Sequence, residues 1–222
     1  MKKAILGVIL AGAVASFAGR AEAASIILNG NFETNTAGGT MFNMSNATFT
    51  ATVANATGFG AAAEIDLVTG LAFGIAPQDG NWKLGLHTQS NGNQDGFSLS
   101  LSTPVVAGQS YNLSFYGALF QGQPPGTIQI GLSNSANSFG TLIFSGTPFF
   151  TSQWDHFTNV FVAPSNASFL TVQISSFEGY SFIDNVTLEA AQAAVPEPAT
   201  LGLLGVGLAA SWRRIKSGRR RA

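Results

Sequence analysis

Apolar and polar residues alternate repeatedly along the middle of this chain. Phe97, Leu99 and Leu101 alternate with Ser98, Ser100 and Ser102, and Tyr111, Leu113 and Phe115 alternate with Asn112 and Ser114. Ile128, Ile130 and Leu132 repeat the pattern, as do Leu170, Val172 and Ile174 opposite Thr171 and Gln173. A period of two is that of a strand with one face buried. Further strands are predicted at 26–28, 48–53, 65–73, 82–88, 142–145, 157–162 and 182–188. Nothing between residues 25 and 190 repeats convincingly every 3.6 residues. Turn clusters punctuate the runs: Asn29-Gly30, Asn91-Gly92-Asn93, Ala107-Gly108-Gln109, Pro124-Pro125-Gly126 and Ala163-Pro164-Ser165. Glycine reaches positive φ, proline blocks continuation and asparagine tolerates the left-handed region, so each cluster can reverse the chain. The expected fold is all-β, one sandwich or jelly roll over residues 25–190. The stretch 35–63, rich in small residues, reads as a long loop with one strand at its centre.

The two ends have a different character. Lys2 and Lys3, an apolar run over 4–18, and Ala21-Glu22-Ala23 form the three parts of a secretory signal peptide, residues 1–24, cleaved at the Ala21/Ala23 site. A retained membrane helix is the weaker alternative, since the apolar run is short. Residues 191–195 read as a linker. Beyond it, Pro196-Glu197-Pro198 leads into an uncharged run over 199–212, followed by Arg213, Arg214, Lys216, Arg219, Arg220 and Arg221. Fourteen helical residues reach about 21 Å, short of a hydrocarbon core of roughly 30 Å. The segment is therefore a marginal span, and its cations keep the C-terminus cytoplasmic.

Charge sharpens the picture. Residues 25–195 hold one cation, Lys83, against nine acids, a net charge of −8 that the two ends conceal in the whole-chain value of −1. Without basic patches the domain is not expected to bind nucleic acid. There is no cysteine, which excludes disulfides, a thiol nucleophile and Cys-ligated zinc; an exported domain of this length must rest on its hydrophobic core.

The order Pro196-Glu197-Pro198, short apolar helix and Arg-rich end, with Arg213 and Arg214 opening the basic run, resembles the PEP-CTERM sorting signal of exported bacterial proteins. That resemblance implies residues 196–222 as the signal, an exosortase as processing partner, a transient inner-membrane intermediate, and delivery to the cell surface or the medium. A plain tail anchor is the alternative. Leu28-Asn29-Gly30-Asn31-Phe32-Glu33, the run 106–115, and the run 181–188 with Asp184 at its centre are similar to galactose-binding-like sandwiches, which include many carbohydrate-binding modules. This second resemblance implies that Glu33 and Asp184 share one structural calcium; the plainer alternative leaves both on exposed turns. It also implies extracellular polysaccharide as partner.

Sugar binding calls for an aromatic face beside planar polar groups. Tyr116 is out of phase with its core-facing neighbours, and Trp154 precedes a strand. Asn91, Asn93 and Asp95 supply loop polar groups together with Gln94, while Trp82 is in phase with Leu84 and Leu86 and reads as core. Catalysis has less support: His87 and His156 are the only histidines, with Asp155 beside one, and Glu64/Asp66 or Asp79/Asp95 are acid pairs without a motif. The expectation is a non-catalytic surface or matrix protein that binds carbohydrate. A purely structural coat is the alternative, and a polysaccharide hydrolase the lesser one.

Overall fold

The computed structural model describes residues 24–191. The signal-peptide and PEP-CTERM expectations, with Ala21, Ala23, Pro196, Glu197, Pro198, Arg213 and Arg214, and most of the linker, lie outside the described residues. Eleven strands form: β1 Met41–Met44, β2 Ala56–Gly58, β3 Ile65–Thr69, β4 Trp82–His87, β5 Gly96–Val105, β6 Ser110–Leu119, β7 Thr127–Ser133, β8 Thr141–Gly146, β9 Asp155–Val162, β10 Ala167–Ser175 and β11 Tyr180–Ala190. They pair antiparallel in two sheets, ordered β1-β3-β4-β11-β6-β9 and β2-β5-β10-β7-β8. The fold is the all-β sandwich that the alternation predicts.

Inward residues of both sheets meet in one core, among them Phe32, Leu84, Phe97, Phe115, Ile130 and Leu170, all without solvent exposure. Phe32 meets Phe97 edge-on at 5.9 Å, a favoured aromatic geometry. This core closes within the described segment, which is therefore a folding unit in its own right. A second, smaller cluster of Val68, Ile75, Ala118, Tyr180 and Phe182 lies on the outer face of the six-stranded sheet. The 70–79 segment covers it.

The structure corrects three expectations. Residues 48–53 are not a strand: α1 spans Asn46–Thr52, capped by Ser45, whose hydroxyl accepts from the Thr48 amide at 3.1 Å. The β-branched threonines suggested a strand, but Thr50 and Thr52 donate their hydroxyls to the carbonyls four residues back, at 2.7 and 2.8 Å. Those local bonds, and burial of Phe49 and Thr52 on one side of the turn, outweigh the residues' strand preference. The stretch 35–63 accordingly holds β1, α1 and β2 instead of one central strand. Next, 65–73 ends as a strand at Thr69, and a 3-10 turn at Ala72–Gly74 follows. Finally, 26–28 is a seam between the sheets: the Ile26 amide donates to the Leu188 carbonyl and the Leu28 amide to that of Ser100.

A single irregularity fixes where Asp184 points. The pairing of β11 with β6 shifts register between Asp184 and Thr187, where Asn185 adopts φ 49°. A bulge inserts an extra residue, so Asp184 shares the outer face with Tyr180 and Phe182, while Val186 and Leu188 return to the core.

Candidate functional site

Three groups that are costly to bury anchor the loops on the outer face of the six-stranded sheet. Lys83 is fully buried. Its ammonium donates to the carbonyls of Gly70, Ala72 and Ile75 at 3.3, 3.2 and 2.7 Å and lies 5.3 Å from the centre of the Phe182 ring, a cation–π distance. Burial pulls its pKa down to about 8, against the attraction of Asp184. Asp184, also fully buried, accepts from the amides of Gln78, Asp79 and Asn185 at 2.7, 3.3 and 2.7 Å. Burial pushes it up to about 7, more than those amides lower it. Glu33 accepts from the amides of Asn81 and Trp82 at 2.7 and 2.8 Å and from the Asn81 side chain at 3.2 Å.

Glu33 and Asp184 thus converge on the 78–82 loop, and neither is a free carboxylate on an exposed turn. Six N–H donors face them. Calcium takes six to eight oxygens, whereas these residues as placed form an amide-clamped pair, and no cluster of three or more His, Cys, Asp or Glu able to hold a metal occurs among the described residues. The donor set does not fit calcium. Chelation tests the resemblance-based expectation directly. With amides as the clamp, the melting temperature is expected to be unchanged after EDTA and dialysis; a fall of several degrees, reversed by calcium, would restore the metal.

Asp95 anchors a different loop. It is buried, and its two oxygens accept from the amides of Glu64 and His87, each at 2.8 Å. Burial raises it to about 6. The 89–93 turn it supports closes through the Gln89 amide on the Asn93 carbonyl at 2.8 Å, with Gly92 at φ 86°. This loop divides two open clefts. The larger, about 530 Å³, is mostly polar and lined by Glu64, His87, Asn91, Gln123 and Glu178. The smaller, about 310 Å³, holds Phe59 and Phe139 with Asn93, Gln94 and Gln173.

The smaller cleft lies on the outer face of the five-stranded sheet and is built by glycines. Phe59 rests on β5 where a Cβ at Gly96 would lie 2.5 Å from its ring, and Phe139 rests on β7 where a Cβ at Gly131 would lie 3.1 Å from its ring. The Thr171 hydroxyl holds the Phe139 carbonyl. Gln173 pairs in register with both Gly96 and Gln129, and its side-chain amide donates to that of Gln129 at 2.8 Å. The Ser98 hydroxyl, on the same face beside Thr171, is buried without a hydrogen-bond partner. Two rings with the side-chain amides of Asn93, Gln94 and Gln173 beside them is an arrangement that can meet a sugar's apolar face and its hydroxyls together.

The structure separates the residues that the sequence offered as one sugar site. Asn93 and Asp95 belong to the Phe59/Phe139 groove, Asp95 through its backbone because its carboxylate is spent on the loop. Asn91 lines the larger cleft. Tyr116 and Trp154 are on the opposite face of the sandwich, with Trp154 donating its indole N–H to the Ala76 carbonyl at 2.9 Å; Trp82 packs against the core. Sequence reasoning missed Phe59, Phe139 and Gln173. The outward phase of Ser98, Thr171, Gln173 and Gln129 was visible, but the rings come from loops whose path over the sheet has no periodic signal.

The acid pairs do not meet over an open groove. Asp66 is buried, donated to by the Tyr180 hydroxyl and by the Asn43 amide at 2.7 Å, and burial raises its pKa. Glu64 lies 3.4 Å from His87. Asp79 sits beside Asp184, apart from Asp95. Asp155 accepts from the amides of Phe149 and Phe150, while His156 bonds the Ser114 hydroxyl at 2.7 Å.

Comparison with known proteins gives a short match and a broad one. Residues 194–215 match the PEP-CTERM protein-sorting motif. No curated protein matches the chain. Among solved structures, TmCBM61 in complex with β-1,4-galactotriose is similar over 75% of this chain and 99% of its own, at 16% identity and TM-score 0.47. The CBM22-1 xylan-binding domain from Paenibacillus barcinonensis Xyn10C is similar over 78% of this chain and all of its own, at 16% identity and TM-score 0.45. The enzymatically active domain of bacteriophage CBA120 tailspike protein 4 is similar over 75% of this chain, at 12% identity and TM-score 0.45, and this chain spans 21% of its length. Among the described residues, no helix is long and apolar enough to cross a membrane.

Proposed function

We propose that this chain is exported cargo of the PEP-CTERM pathway, processed by an exosortase, whose sandwich binds a neutral polysaccharide outside the cell without catalysis. The observation that carries the reading is the groove between Phe59 and Phe139, lined by Asn93, Gln94 and Gln173, with the Gln173 side chain oriented by its hydrogen bond to Gln129. Rings seated on glycines hold their orientation before any ligand arrives, which lowers the ordering cost of binding. Charge supports a neutral ligand. The one cation of the described residues, Lys83, is buried, so the surface offers no Lys or Arg to pair with uronate or sulfate groups.

The test is affinity electrophoresis of the 24–191 fragment through arabinoxylan, galactan, hydroxyethylcellulose and the producing cell's own extracellular polysaccharide, with reducing ends assayed in parallel. At least one neutral polymer is expected to retard the fragment, unaffected by salt and without release of reducing ends. Phe59→Ala and Phe139→Ala are each expected to weaken binding about tenfold, the scale of one lost ring contact. Binding unchanged in the double variant would overturn the groove, and released reducing ends would make the protein a hydrolase. One observation favours a structural coat as second reading: edge strand β9 exposes Val160 and Val162 at 71% and 62%, and unpaired apolar edges promote assembly. Concentration-dependent association without any glycan binding would support it.

A further inference from the structure

The aromatic residues that the groove does not use are organised as well. Tyr116 on β6 and His156 on β9 are directly cross-strand, their rings stacked at 4.5 Å and 14°. The Ser114 hydroxyl fixes His156 from the adjoining position, and the Ala76 carbonyl fixes Trp154. All are on the outer face of the six-stranded sheet, the side of the molecule away from Phe59 and Phe139. Tyr116 is half-buried and His156 exposed. At the side of Tyr116 that faces β11, the Asn185 side-chain amide donates to that of Gln78 at 3.0 Å, leaving the Gln78 N–H donors and the Asn185 oxygen free for hydroxyl groups. An imidazole held rigidly on an open strand surface contributes nothing to the core. Rigid rings beside planar amides, on a surface without Lys or Arg, present the same chemistry as the groove.

We infer that the Tyr116/His156/Trp154 face is a second saccharide site, so that the protein bridges two polysaccharide chains, one on each face of the sandwich. This rests on the saccharide reading of the groove. No single chain can occupy both sites by lying flat, because the core and both sheets separate them. Two sites facing opposite ways turn a binding module into a cross-link, and a polymer network gains avidity from many such links.

Bridging and binding are separable by experiment. The 24–191 fragment is mixed with whichever neutral polymer retards it in electrophoresis. Stoichiometry for a short oligosaccharide of that polymer is measured by calorimetry, and turbidity is followed across a range of protein-to-polymer ratios. Two sites per chain are expected, with turbidity that peaks at an intermediate ratio. The Tyr116→Ala/His156→Ala variant should keep one site, with its affinity within about twofold of the wild-type groove as expected for distant sites, and should give no turbidity. The Phe59→Ala/Phe139→Ala variant should keep only the other site. Circular dichroism confirms that each variant is folded, and Ser114→Ala serves as a milder test that frees the imidazole. One site in the wild type, or full turbidity in the Tyr116/His156 variant, would overturn bridging and leave the groove standing; no binding to any polymer would overturn both.

Discussion

Lys83→Met is expected to lower the melting temperature of the 24–191 domain by about 4–8 °C. The substitution keeps most of the side-chain volume but removes the donor for three carbonyls, those of Gly70, Ala72 and Ile75. The Ile75 bond is buried, whereas those to Gly70 and Ala72 are partly open to water. A buried acceptor left unsatisfied costs on the order of 1–3 kcal/mol and the other two add less, so the loss is about 2 kcal/mol. A domain of this size loses roughly 2–4 °C per kcal/mol. The loss should be local in origin. The ammonium ties the 70–79 segment to the outer face of the six-stranded sheet, so limited proteolysis should cut that segment in the variant before the rest of the sandwich. A melt within a degree of wild type would show that the carbonyl cage is dispensable. The cage also explains why the domain keeps its single cation: placed elsewhere, it would be one surface charge of little consequence.

Stability should fall as pH rises from about 4 to about 7.5. Asp184 and Asp95 titrate at about 7 and about 6 in the folded protein, against an ordinary value of 3.8, and burial is the largest cause in both. Burial raises Asp66 as well. Between the unfolded and folded values the native state holds more protons than the unfolded chain. By linkage, stability is then greatest at the acid end of that window and declines as pH rises through the folded values. A tenfold difference in proton affinity between the folded and unfolded chain is worth about 1.4 kcal/mol, so the decline amounts to a few kcal/mol and should appear as a higher melting temperature at pH 5 than at pH 8. Asp184→Asn should flatten the slope. It should also lower stability at every pH, because its NH2 group would oppose one of three N–H donors that now meet carboxylate oxygens. A melting temperature that rises between pH 5 and pH 8 would mean that these carboxylates are charged throughout and better solvated than their burial implies.

Both expectations rest on burial that the sequence does not show. Lys83 reads as the polar phase of an alternating strand, and it does point away from the core, as its position between Trp82 and Leu84 requires. What the alternation could not show is that the 70–79 segment folds back over that face. The side called polar is then covered, and Lys83 and Asp184 are buried beneath it, while Asp66 is held by Tyr180 and the Asn43 amide. Asp184 also depends on the bulge at Asn185, a shift of register that no local pattern marks. Glu33 and Asp184 were paired by resemblance, and the structure does bring both to the 78–82 loop, but with amides between them.

The sequence by itself determined the fold class, the core and the sorting motif. Alternation is a local property, so Phe97, Leu99, Leu113, Phe115, Val172 and Ile174 could be placed inside without knowing which strands pair. The Pro-Glu-Pro, apolar and basic order of the tail is likewise contiguous, and 194–215 match the sorting motif. Only the tertiary structure decided where a ligand could bind. The Phe59/Phe139 groove draws its rings from two loops 80 residues apart, laid on glycines of strands that are neighbours only through β10. The Tyr116/His156 stack joins strands β6 and β9, 40 positions apart. Outward positions carry no burial constraint that would write their partners into the local pattern; their chemistry exists only once the register of each sheet and the path of each loop are set.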